Sequence, residues 1–295
     1  MSRSLALIVS FSLLVLAAVI ISSCGSSGTH LGTTCTGGPF NVVGDWQGSF
    51  SGGGNTTNAV GVINSSGQAL FFDDSAGGTP GSGSVLAMPS ITGTCSFSGT
   101  ATAFGSFGLP NASGSVQGNV NSATSISGSV SSSGGTGTFT LTSFSPLTDT
   151  PTSLAGARGG DIQGASAGLL PLTFTPGSGN NMTFTNDMAL APNCSTSGTI
   201  TQEGTTNIFD ISIDFSGTAQ GCPAPANISG LGFESNTDYF GATGTNPVPE
   251  TYIYAISSTS AFVLEVYPPP AVAAQLNMRS PVHSFAAKPS AFIFR

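Results

Sequence analysis

Phe209-Asp210-Ile211-Ser212-Ile213-Asp214-Phe215 alternates large apolar and polar residues without interruption. A β-strand turns successive side chains to opposite faces, so Phe209, Ile211, Ile213 and Phe215 are predicted to share one buried face. Phe262, Leu264 and Val266 repeat the pattern around Glu265. So do Phe139 and Leu141 among Thr138, Thr140 and Thr142. One buried and one solvated face implies antiparallel sheet. Tyr252–Ser257 and Phe262–Tyr267, joined by Ser258–Ala261, read as a hairpin. With 41 Gly and 18 Pro punctuating short β-branched and aromatic runs, the chain reads as many short strands and tight turns. After Cys24 no long segment keeps a helical period.

Three anchors recur in the same order. Gly44-Asp45-Trp46-Gln47-Gly48 matches Gly160-Asp161-Ile162-Gln163-Gly164. The run from Cys95 to Thr102 matches that from Cys194 to Thr201, and Ile126-Ser127-Gly128 matches Ile228-Ser229-Gly230. This predicts two homologous domains, over 39–148 and 150–267. Each has room for seven or eight strands, as a β-barrel or a β-sandwich.

Only 6% of the residues are charged, far below the usual quarter. Between Cys24 and Pro270 the one basic residue is Arg158. Nucleic-acid binding needs clustered Lys or Arg and is therefore not expected. The segment 268–295 opens with Pro268-Pro269-Pro270 and carries Arg279, Lys288 and Arg295 with no acid, a weakly basic tail.

At the front, Arg3 precedes an apolar run from Leu5 to Ile21, then Ile21-Ser22-Ser23-Cys24 and Gly25-Ser26-Ser27-Gly28. The order of charge, apolar run and small residues before a cysteine resembles the lipobox of bacterial lipoproteins. The resemblance implies cleavage after residue 23 and lipidation of Cys24, with 24–38 a flexible tether. Three acyl chains would anchor firmly, since two signals already suffice. Gly25 after the cysteine resembles the outer-membrane address of Gram-negative lipoproteins. An uncleaved signal anchor and an ordinary secretory peptide are the alternatives.

Export fits the cysteines. Setting Cys24 aside leaves Cys35, Cys95, Cys194 and Cys222, an even number without a C-x-x-C pair. Cys222 has no counterpart in the first copy and Cys35 none in the second. The expected pairs are therefore Cys35–Cys95 and Cys194–Cys222, each contributing about 3 kcal/mol.

Gly44-Asp45-Trp46 resembles the G-x-W opening of lipocalin-type barrels, where the tryptophan closes the barrel floor and a late-strand arginine packs across it. The first domain has no arginine. The chain as a whole is similar to the Gly/Ser/Thr-rich tandem β lipoproteins found in bacterial envelopes.

Little else suggests chemistry. Gly164-Ala165-Ser166-Ala167-Gly168 fits the nucleophile pattern G-x-S-x-G, which requires a strand–turn–helix setting. The only histidines are His30 and His283, in tether and tail. Asp210 and Asp214 share a strand face some ~13 Å apart, too far for one metal ion. Asp73-Asp74 lacks calcium-loop spacing. Tyr252 and Tyr254 share a strand face and are candidates for a binding surface, as an exposed aromatic pair that stacks on a sugar or anchors a partner. The expectation is an envelope protein, lipid-anchored and non-enzymatic, without metal or cofactor, with a structural or binding role toward an envelope protein or glycan. A carrier of a small apolar ligand is the alternative and an envelope hydrolase a remote one.

Overall fold

In the computed structural model the described residues are 38–73, 84–104, 111–144, 155–164, 168–169, 172–186, 195–216, 227–235, 252–259 and 262–267. They form antiparallel strands and their turns. The choice between barrel and sandwich resolves to barrels.

The first barrel is a meander of β1 (Gly44–Gly52), β2 (Asn55–Ile63), β3 (Ala69–Asp73), β4 (Val85–Met88), β5 (Ser96–Phe104), β6 (Ala112–Ser122), β7 (Ser125–Ser132) and β8 (Gly135–Phe144). It closes where β1 pairs with β8, Phe50 opposite Phe139. The second holds β9 (Gly156–Gly164), β10 (Gly168–Leu169), β11 (Leu172–Pro176), β12 (Asn181–Asn186), β13 (Ser195–Gln202), β14 (Ile208–Ser216), β15 (Asn227–Ser235), β16 (Tyr252–Ser257) and β17 (Phe262–Tyr267). It closes where β17 pairs with β9, Leu264 opposite Ile162.

β10 and β11 lie along β9 in one unbroken register, Leu169 opposite Asp161 and Leu172 opposite Arg158. They occupy one line of the barrel, and residues 170 and 171 between them lie outside the described residues. Counted so, each barrel has eight strands. The first sequence anchor then falls on the first strand of each. The second falls on the fifth strand of one barrel (β5) and the fourth of the other (β13), and the third on the seventh and sixth. The later matches therefore mark similar strand chemistry at different places in the two barrels.

Inward positions are apolar. In the first barrel Phe50 stacks on Phe139 at 5.2 Å between centroids, with Phe71 and Phe97 beside them at 6.1 and 6.4 Å. The rings fit because glycine faces them across the ladder. Phe139 is opposite Gly128, Phe97 opposite Gly118 and Phe71 opposite Gly61. A β-carbon on Gly128 would lie 2.5 Å from Cζ of Phe139. In the second barrel Phe184 lies over Gly198 in the same way. Glycine weakens a strand by having no side chain to pack, and an aromatic ring laid over it restores the covering. Phe209, Ile211, Ile213 and Phe215 are all buried in this second core, with Phe262, Leu264 and Val266.

Trp46, on β1, is buried in the first core, and its indole N–H donates to the Val42 carbonyl at 2.8 Å. A backbone carbonyl thus takes the polar edge of the tryptophan. The segment before β1 is tied to the turn between β4 and β5 by Phe40 N–H to Gly93 O, and Ile91 N–H donates to Gly67 O.

Replacing Gly128 with alanine drives a methyl into the Phe139 ring and the Gln117 carbonyl. Overpacking of this kind costs about 1–3 kcal/mol. Denaturant unfolding should show that loss for Gly128→Ala. Ser131→Ala, on the exposed side of β7, should stay within about 0.5 kcal/mol of the parent.

Candidate functional site

Several buried polar groups lie where the two barrels meet, while Asn186 and Thr196 are buried together on β12 and β13. A strand of a solvated barrel should bury one face. β3 (Ala69–Asp73) and the stretch Leu231–Ser235 of β15 are buried on both. The second face is the junction. Val60, Val62, Leu70, Phe72 and Val85 of the first barrel pack on Ile208, Leu231, Phe233, Tyr254, Ile256 and Val263 of the second. Phe72 stacks on Tyr254 at 5.6 Å and on Phe233 at 6.2 Å, and Phe144 meets Phe233 edge-on at 6.2 Å.

Tyr254 is therefore not an exposed platform. It is fully buried, and its hydroxyl donates to Oε1 of Glu265 at 2.7 Å on the neighbouring strand. The partner it anchors is the first barrel. Tyr252 occupies the end of β16, opposite Ser235; its side chain lies outside the described residues.

Two side-chain bonds cross the junction at the turn between β13 and β14. Glu203 Oε2 accepts the N–H of Ser65 at 3.0 Å, from the turn between β2 and β3. Asn207 Nδ2 donates to Oδ2 of Asp45, on β1. Both Asp45 and Asn207 are buried. Burial pushes the Asp45 carboxyl up to about 7, against the opposing pull of the Asn207 hydrogen bond. Asp210 is raised as well, first by partial burial and then by the negative Glu203. Burial lowers the Arg158 guanidinium.

Asp210 and Asp214 stand on the exposed face of β14, opposite Thr201 and Ser197. Asp73 ends β3 and is buried; Asp74 lies outside the described residues. Among the described residues no group of three or more His, Cys, Asp or Glu is placed to hold a metal ion. Gly164 ends β9 and Gly168 begins β10, which pair antiparallel. The G-x-S-x-G sequence thus joins strand to strand, and the helix that a nucleophile elbow requires does not follow. Ser166 itself lies outside the described residues. So do Cys24, Cys35, Cys194, Cys222, both histidines and the tail. Cys95 is disulfide-bonded.

No protein-family model matches the chain, and no curated protein matches it. Among solved structures it is similar to a "putative outer membrane protein" of Bacteroides fragilis. Identity is 14%, over 78% of this chain and 98% of that one, with a TM-score of 0.24. A score that low does not align the two as one architecture, and no property is carried over from it.

The junction gives Tyr254 a test. Tyr254→Phe keeps the ring and removes the hydroxyl that donates to the buried Glu265 carboxyl, which costs about 1–3 kcal/mol. Denaturant unfolding should show that loss. An unchanged midpoint would mean the hydroxyl matters to something other than the junction.

Proposed function

We propose that the chain is a lipid-anchored protein of the bacterial envelope, held through Cys24 at the outer membrane, with a structural or binding role. The observation that carries the reading is the filled interior. The rings of Phe50, Phe71, Phe97 and Phe139 occupy the first barrel, and Phe174–Phe184 and Phe215–Phe262 pairs at 5.2 and 5.5 Å occupy the second. A carrier needs an open, ligand-sized cavity where these side chains sit.

The alternation supports a separate anchor. A membrane-spanning barrel is apolar outside and polar within. Here β5–β8 turn Val116, Ile126, Val130 and Leu141 inward and Ser115, Gln117, Ser129 and Thr140 outward, the reverse. A polar-walled barrel reaches a membrane by some other means, and the lipobox offers it.

A second observation favours a neutral glycan among possible partners. From Ser75 to Thr148 there is no Asp, Glu, Lys, Arg or His. The outer wall of β5–β8 is a grid of hydroxyls and amides, with Thr100 opposite Ser115, Gln117 opposite Ser129 and Ser129 opposite Thr138. Such a face has donors and acceptors for sugar hydroxyls and no charge to attract an ionic partner.

The disulfides are assigned as Cys35–Cys95 and Cys194–Cys222. The hydrogen bond between Phe40 and Gly93 supports the first, since these residues lie close in sequence to Cys35 and Cys95. Ser195 opposite Ser216 supports the second, because the segments carrying Cys194 and Cys222 leave β13 and β14 at that shared end.

One preparation tests the proposal. Cys24→Ala should move the protein from the membrane fraction to the soluble one. In that soluble form a long-chain fatty acid should leave the emission of Trp46, the single tryptophan, unchanged. A saturable shift would favour the carrier, and retention of Cys24→Ala in the membrane would remove the lipid anchor. Unreduced peptides should join Cys95 to Cys35; a Cys95–Cys194 peptide would overturn the pairing.

A further inference from the structure

The turn between β13 and β14 is braced internally. Glu203 N–H donates to Ile208 O, and Thr206 donates to Glu203 O through both its N–H and its hydroxyl, the latter at 2.7 Å. Asn180 Nδ2 donates to Gly204 O at 2.8 Å, tying it to the preceding turn. A turn held this way moves as a unit, and the first barrel grips it at Asp45 and Ser65.

At Asp45 the grip is incomplete. Oδ2 accepts the Asn207 amide, while Oδ1 is buried without a hydrogen-bond partner among the described residues. Val43 and Phe144 belong to the apolar junction core around it. A neutral carboxyl tolerates one unpaired oxygen there, but a carboxylate leaves half its charge desolvated and unpaired. The influences on Asp45 among the described residues are burial and the Asn207 hydrogen bond, with no cation among them. Among the described residues of β1, β2 and β8 Asp45 is the only charged group, and the turn between β2 and β3 has none. The second barrel brings Glu203 in its turn, Asp210 and Asp214 on the exposed face of β14, and the buried Glu234 on β15 and Glu265 on β17, all acids; its one cation among the described residues, Arg158, stands on β9.

We propose that Asp45 and Asn207 form a pH-sensitive latch between the barrels, closed when Asp45 is neutral and loosened when it ionises. The direction follows from linkage. Unfolded, this carboxyl titrates at its ordinary 3.8; folded, burial holds it near 7. Its contribution is fully present below the unfolded value and is lost as pH rises through the folded one. Around neutrality a small change in the medium shifts the balance, and an exported protein meets that medium directly.

The test is denaturant unfolding of the full chain in detergent micelles, from about pH 5 to 8.5, for the parent and two variants. Asp45→Asn keeps the shape and cannot ionise. Its stability relative to the parent should rise with pH by roughly 10²-fold in the folding equilibrium, levelling above about pH 7. Asn207→Ala removes the one donor to the carboxylate and should move the inflection to higher pH. Parallel pH profiles for parent and Asp45→Asn would overturn the latch. Should that variant fail to fold, an Asn207→Ala inflection identical to the parent's would overturn it equally.

Discussion

The architecture depends on the wall the two barrels share. A closed eight-stranded barrel hides its edges and fills its own interior, so it needs no partner. These barrels do need one, because β3, β15 and their neighbours carry apolar side chains on the outer face as well. Phe72, Phe144, Phe233 and Tyr254 close that wall as interlocked rings. Once it is closed, Glu265, Asp45 and Asn207 are buried with it. Their polar chemistry is then a consequence of where the apolar surface had to go.

Most of the strand structure was legible in the sequence. The alternation at Phe209–Phe215 and Phe262–Val266 placed inward faces correctly, and the β16–β17 hairpin falls where Tyr252–Tyr267 suggested. The shared wall is not visible in the Tyr252/Tyr254 pair, whose alternation alone suggests an open face, whereas Tyr254 is buried against the first barrel. The signal was present in Leu70-Phe71-Phe72, in Ile253-Tyr254-Ala255-Ile256 and in Phe262-Val263-Leu264. These runs are apolar at odd and even positions alike, which in a strand means both faces are covered. The chain holds two barrels, yet two of the three repeat anchors lie on non-equivalent strands. Short Ser/Thr/Gly motifs recur because every outer wall uses them, so they carry little positional information.

The same wall bears on function. It buries Phe233 and Tyr254 of the second barrel, while the described outer face of β6–β8 is rich in hydroxyls. Filled interiors and polar outer strands fit the proposed structural or binding role, and the Asp45–Asn207 bond at the β13–β14 turn is the contact proposed to answer to pH.

That the barrels form one unit is the claim on which the rest stands, and the chain supplies its own probes. Trp46, the single tryptophan, reports the first barrel, while all four tyrosines lie in the second half of the sequence. Urea unfolding followed by tryptophan emission and by tyrosine near-ultraviolet dichroism should give one coincident transition. Two separated midpoints would show barrels that fold independently and would contradict the shared wall.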